Sequence, residues 1–187
     1  MKYIGTKELE TERLILRKIK IEDAPIAYNN WSSNDKVSKY TLWETHKDVN
    51  TTINLFNMWI EEYNNPKTFR WIVELKENHD LVGTIDVVSK KYMDFGALEI
   101  GYCYSEKYWN KGYGTEALTK VIEYLFEECD ADVIFAEHLE ENPASGKVMQ
   151  KSGMTFEGRL RGRIVDKDGI RNDLLYYSIT KDEYFKK

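Results

Sequence analysis

A mixed α/β layer fold is what this sequence predicts, and three observations predict it. Hydrophobic segments of strand and helix period follow one another irregularly, so a regular doubly wound sheet is not expected. No Pro/Gly/Ser-rich linker, repeat or low-complexity stretch divides the 187 residues, which points to one domain over 1–187 with a core about 11–182. Two glycines, Gly112 and Gly114, stand between a strand and a strongly amphipathic helix.

The elements follow in order. Leu14, Leu16 and Ile19 alternate like a strand around Arg17. Ile21 to Trp31 reads as a helix with Glu22 and Asp23 in its first turn. Val49, Ile53, Phe56, Ile60 and Tyr63 recur at spacings of four and three, one face of a helix that Asn64-Asn65-Pro66 ends. Phe69 to Leu75 and Leu81 to Val88 are strands joined by the turn Glu77-Asn78-His79-Asp80. Ala97 to Tyr104 is a further strand, feeding the glycines. The next helix carries Ala117, Leu118, Val121, Ile122, Leu125 and Phe126 on one stripe. Val133 to His138 is short and mostly apolar, as a buried strand requires. Pro143 to Lys151 is a helix with Asn142 as N-cap, Pro143 at its first position and Gly153 just past its end. Thr155 to Val165 and Asn172 to Ile179 close the chain as a hairpin around Asp168-Gly169, with Arg159, Arg161 and Arg163 on one strand face. The count is about seven strands and four helices.

Composition excludes several classes. A net charge of −5, a pI near 5.4 and the lack of any basic block argue against nucleic acid as a direct partner. Cys103 and Cys129 are too few for a disulfide framework or a zinc site, and His46, His79 and His138 have no ligand spacing, so no metal is expected. The charged stretch Met1 to Arg17 lacks the apolar core of a signal peptide, and no apolar run approaches the ~20 residues that span a bilayer. The expectation is a soluble, cytoplasmic protein with no membrane partner.

The glycines carry the first functional signal. A helix start has unpaired N–H groups and the positive end of the macrodipole, and glycine lets backbone press against an anion. The full stretch is Tyr108-Trp109-Asn110-Lys111-Gly112-Tyr113-Gly114-Thr115-Glu116-Ala117. Together with Glu99-Ile100-Gly101-Tyr102 before it, and Asn142-Pro143-Ala144-Ser145 and Lys151-Ser152-Gly153-Met154 after it, this stretch resembles the GNAT superfamily of N-acetyltransferases. The opening Thr11-Glu12-Arg13-Leu14-Ile15-Leu16-Arg17 is similar to the RimJ/RimL-type branch, which includes acetyltransferases of ribosomal-protein N-termini. The resemblance runs from Thr11 to Tyr176-Tyr177-Ser178-Ile179.

What the resemblance implies is specific. The fold would be a mixed, mostly antiparallel twisted sheet, splayed at strands four and five. Acetyl-CoA would be the co-substrate, its pantetheine arm pairing like an extra strand between Ala97–Tyr104 and Val133–His138, beside Tyr102, Cys103 and Tyr104. Its pyrophosphate would sit on backbone N–H groups of Lys111, Gly112, Tyr113, Gly114 and Thr115, behind Trp109 and Asn110. Asn142 and Ser145 would lie along the pantetheine. The family usually carries Gln or Arg where this chain has Trp109; a backbone cradle does not require that side chain.

The implied chemistry is direct attack of an amine on the thioester. An alkyl amine, with a pKa near ~10, is protonated at neutral pH and needs a base. Glu99 is the candidate, against the alternative of a carboxylate paired within the sheet. The departing thiolate wants a donor, and Ser145 could supply it, against local backbone bonding in the first helical turn. Tyr102 and Tyr104 read as sheet side chains rather than catalysts. Nothing marks Cys103 as an activated nucleophile. Trp31, Trp59 and Trp71 read as core, whereas Tyr40 and Trp43, in an irregular segment between two helices, would join Glu99 in binding the acceptor, a small amine or a protein N-terminus. Two rivals stand beside this reading: a non-catalytic CoA-binding module, and a nucleotide-binding domain, which the missing Gly-Lys-Ser/Thr and third glycine disfavour. Monomer and homodimer are both open.

Overall fold

In the computed structural model, which describes residues 1–186, the strand-period segments form one eight-stranded sheet. The strands are β1 (Leu9–Glu10), β2 (Leu14–Arg17), β3 (Arg70–Leu75), β4 (Leu81–Ser89), β5 (Ala97–Tyr104), β6 (Val133–Leu139), β7 (Thr155–Val165) and β8 (Arg171–Thr180). Their spatial order is β1-β2-β3-β4-β5-β6-β8-β7. Neighbours are antiparallel except β5 and β6, a parallel pair that requires a crossover. The helices are α1 (Ala24–Ala27), α2 (Asp35–Ser38), α3 (Val49–Glu62), α4 (Tyr113–Glu127), α5 (Pro143–Lys151) and α6 (Lys181–Phe185), and α4 makes the crossover.

Each sheet face has its own core. On one, Leu98 and Ile100 pack with Ala117, Leu118, Val121 and Ile122 of α4. On the other, Ile72 and Leu81 pack with Ala24, Ala27, Trp31 and Phe56. Fully buried aliphatic side chains such as Leu118 and Ile72 contribute ~1.5–3 kcal/mol each. Trp71 and Trp31 are buried as expected, and Trp59 packs against the second core.

Four expectations change in detail. The first strand ends at Arg17, so Ile19 is buried in the second core instead of in the sheet, and the two-residue β1 adds a strand. Residues 21–32 are not one helix but a 3-10 turn, a single α turn and a π turn. There Asn30 turns its side-chain amide to Asp80 Oδ1 and the Leu81 carbonyl, both at 2.8 Å, a tie to the sheet that regular winding would have to satisfy too. In β7 the ladder to β8 is broken between Leu160 and Ile164, where Gly162 has φ +56°, so Arg159, Arg161 and Arg163 do not share an uninterrupted strand face. Arg159 is instead ion-paired with Glu140 and Asp173. Asn142 occupies the N-cap position of α5, but its side chain makes no capping hydrogen bond. No helix of the described residues is long and apolar enough to cross a membrane.

One irregularity positions everything that follows. The β5–β6 pairing stops after Glu99↔Phe135. Yet β5 stays paired with β4 as far as Tyr104, and β6 with β8 as far as Leu139. The two strands therefore part, each held on its outer side.

Candidate active site

The gap between the parted strands is a cleft of about 600 Å³. One wall is Ile100 to Tyr104 of β5, the other Glu137 to Leu139 of β6, and residues 142–145 and Val148 to Met149 of α5 line it as well. The glycine turn contributes Trp109, Asn110, Gly112, Gly114 and Thr115. Asn110 and Gly112 are both left-handed, with φ +60° and +83°, so the turn bends tightly into α4. Gly114 is required by packing: a Cβ there would lie 2.9 Å from the Tyr104 ring. Trp109 is held by its indole N–H, which donates to the Tyr104 carbonyl at 2.8 Å.

Alternation along β5 sorts the reactive groups between the faces. Tyr102 and Tyr104 point to the α4–α5 side, their rings stacked at 5.4 Å. The Tyr102 hydroxyl lies 2.8 Å from Ser145 Oγ, joining β5 to the first turn of α5. Burial raises the Tyr102 pKa despite that bond. Cys103 belongs to the opposite face; burial pushes its thiol up to about 12, so it is a neutral thiol and not an activated nucleophile. Glu99 shares that face by register and lies beside Glu137. Burial, and then the charge of Glu137, raise the Glu99 pKa. His138 is buried and lines the cleft; its Nδ1 donates to the Leu139 carbonyl at 2.7 Å, which leaves Nε2 as an unprotonated acceptor without a partner.

The Acetyltransferase (GNAT) domain family matches residues 13–155. The chain belongs to the GNAT acetyltransferase family. Among its relatives is the uncharacterized N-acetyltransferase YoaA of Bacillus subtilis, 31% identical over 92% of this chain and 96% of that protein. A GNAT-family acetyltransferase structure from Bacillus anthracis, 31% identical, superposes with a TM-score of 0.81 over 94% of this chain and 99% of the other. The ribosomal-protein-S5-alanine acetyltransferase of Vibrio fischeri shares the fold at a TM-score of 0.81, with 22% identity over 94% and 97% of the two chains.

This GNAT chain is thus an acetyl-CoA-dependent N-acetyltransferase, and its cleft fits that co-substrate on its own evidence. The strand edges facing the gap are free of each other, the glycine turn lines the cleft at the start of α4, and His138, whose unpartnered Nε2 is buried against Gly146 of α5, stands in the wall. Of the residues expected at the cofactor, Tyr102, Cys103, Tyr104, Trp109, Asn110, Gly112, Gly114, Thr115, Asn142 and Ser145 all line the cleft. Lys111 and Tyr113 do not: the Lys111 ammonium lies over the Tyr108 ring and the Tyr113 ring lies beneath the Arg13 guanidinium. Tyr40 lines the cleft, whereas Trp43 packs into the second core, edge-on to His46. Glu99 stands outside the cleft lining, where Glu137 faces in.

Several contributors were missed by sequence reasoning. The sequence places Tyr102 beside the cofactor and not among the catalysts, and only its register opposite α5 reveals the contact of its hydroxyl with Ser145. Lys147 and Lys151 also line the cleft, one helical turn apart, a spacing that was available in the sequence. His138 carried no local signal at all.

Proposed function

We propose that this acetyltransferase acylates a primary amine, on a protein N-terminus or a small molecule, by direct attack on the thioester, as one domain spanning residues 1–187. The observation that carries the reading is that Glu99 and the Tyr102–Ser145 pair occupy opposite faces of β5 at the point where β5 and β6 part. A base and a donor so divided serve the two ends of one transfer without neutralising each other.

Acetyl-CoA supplies the activated acyl group and a leaving thiolate. Glu99 takes the proton from the incoming ammonium group, its proton affinity raised by burial and by Glu137. Ser145, oriented by Tyr102, donates to the leaving sulfur. Backbone of residues 102–104 and the uncapped amide of Asn142 hold the pantetheine, and N–H groups of residues 111–115 hold the pyrophosphate. Tyr40 flanks the acceptor, while Trp43 supports the wall from behind. Most of the rate gain comes from bringing amine and thioester into contact.

A RimJ/RimL-type role in the cytoplasm, with a protein N-terminus as acceptor, is supported by Thr11 to Arg17 and by the shared fold with the ribosomal-protein acetyltransferase. The test measures free CoA released from acetyl-CoA in the presence of N-terminal peptides and of small amines. Release with peptides, or with small amines, identifies the acceptor class. Intact acetyl-CoA binding with no release from any amine would leave a non-catalytic CoA-binding module and end the catalytic reading.

A further inference from the structure

Arg13 lies outside the cleft lining, just before β2, yet it reaches the outer side of the glycine turn. Its Nε donates to Glu116 Oε2 at 2.7 Å and its Nη1 donates to the Lys111 carbonyl at 3.1 Å. The guanidinium also covers the Tyr113 ring, 4.4 Å from the centroid. The Arg13 backbone N–H and the Thr11 hydroxyl both donate to Glu116 Oε1, at 3.0 and 2.6 Å. A residue about a hundred positions away in sequence therefore clasps the turn that faces the cleft.

The clasp has a geometric consequence. In a trans peptide the C=O of one residue and the N–H of the next belong to one rigid plane and point in opposite directions. Fixing the Lys111 carbonyl on Arg13 therefore turns the Gly112 N–H away from Arg13. Gly112 lines the cleft. A peptide flipped the other way would present a carbonyl oxygen, and its partial negative charge, to an anion in the turn. The flip is a real alternative, because it turns the φ of Gly112, which as a glycine takes either sign without a Cβ penalty and stands at +83°.

Electrostatics adds a second effect. Glu116 stands in the first turn of α4, where the helix end would otherwise favour a bound anion. Burial raises its pKa, but donors from Thr11 and Arg13 outweigh burial and keep it an anion. Arg13 is the cation paired with it, at 2.6 Å. Without that pair, the carboxylate would oppose a pyrophosphate at the same helix start.

We propose that Arg13 is a positioning residue for the pyrophosphate, locking the Lys111–Gly112 peptide with its N–H toward the cleft and pairing the charge of Glu116. This rests on the donor-site reading above. The test is titration calorimetry of wild type and R13Q with CoA and with pantetheine, which lacks the nucleotide and pyrophosphate. Loss of a charged hydrogen bond corresponds to roughly tenfold weaker CoA binding, with pantetheine binding unchanged. Equal losses for both ligands would reduce Arg13 to a structural tie, and undiminished CoA binding would overturn the proposal outright. If R13Q does not fold, R13K carries the same comparison: it keeps the charge but lacks the planar fork that spans Glu116 and the Lys111 carbonyl. Wild-type protein that gains no affinity from the nucleotide half would instead defeat the donor-site reading itself.

Discussion

On the β5–β6 side the cleft is walled by strand edges, a glycine turn and the starts of two helices; on the side of residues 36–41 it is walled by a single helical turn and irregular chain. The first wall is built on regular backbone, whose geometry is fixed by local pattern and by pairing on its outer side. The second is made of side chains, such as Lys36, Val37, Tyr40 and Thr41, whose direction depends on contacts far away in sequence. Lys167, at the tip of the β7–β8 hairpin, reaches the Ser38 carbonyl at 3.4 Å, so even the ordering of that wall involves the far end of the chain. Backbone chemistry recurs wherever the pattern recurs, whereas a wall of side chains can be rebuilt for each acceptor.

The largest effect expected tests whether catalysis belongs to the backbone-built side. E99Q should lower turnover by roughly 10²–10⁴-fold while leaving CoA affinity as it is. The deficit should be greatest at low pH, because a free amine becomes available without help as pH rises. A pH-independent loss would transfer the base role elsewhere, with Glu137 the first place to look. Next, G114V should weaken CoA roughly 100-fold by forcing a side chain into the Tyr104 ring, with far-UV circular dichroism unchanged. Wild-type affinity in that variant would mean that the turn does not hold the donor. Removing either hydroxyl of the Tyr102–Ser145 pair, in Y102F or S145A, should cost roughly tenfold in kcat with little change in KM for acetyl-CoA.

Two smaller effects sharpen the acceptor side. W43A should lower stability by about 2 kcal/mol in urea unfolding and spare acceptor KM, since Trp43 packs into a core, whereas Y40A should raise acceptor KM and spare stability. Reversed outcomes would move the acceptor to the other aromatic. Asp80 lies outside both walls, bonded to Asn30, Lys107 and Tyr108. Burial pushes its carboxyl up, but those donors and the Leu81 N–H outweigh burial and hold the pKa at about 2, against an ordinary 3.8. A lowered pKa contributes stability that is present above the unfolded value and lost as pH falls toward the folded one, here about 2 kcal/mol lost between pH 4 and 2. The stability gap between wild type and D80N should therefore narrow on acidification through that window.

Most of the sheet was legible because its strands carry clear period-two or fully apolar patterns; β5, β7 and α5 begin and end where the pattern does. What was not legible has physical causes. Residues 21–32 wind irregularly where Asn30 is tied to Asp80 and Leu81, contacts that no local window contains. Asn142 looked like a cap because its residue type and the following Pro143 fit, but its side chain makes no capping bond. In the site, the glycine turn and the Asn142–Ser145 segment could be read because they are contiguous. Tyr102 with Ser145, and Arg13 with Lys111 and Glu116, become neighbours only through sheet register and helix docking.

The early end of the β5–β6 ladder also has a mechanical side. With only three residue pairs between them, the block β1 to β5 and the block β6, β8 and β7 are two plates riveted at one end. A ligand hydrogen-bonded to both free edges sets the missing rivets. Loading the cleft should then stiffen the whole sheet, and amide exchange in β6 should slow well beyond the residues that the ligand touches.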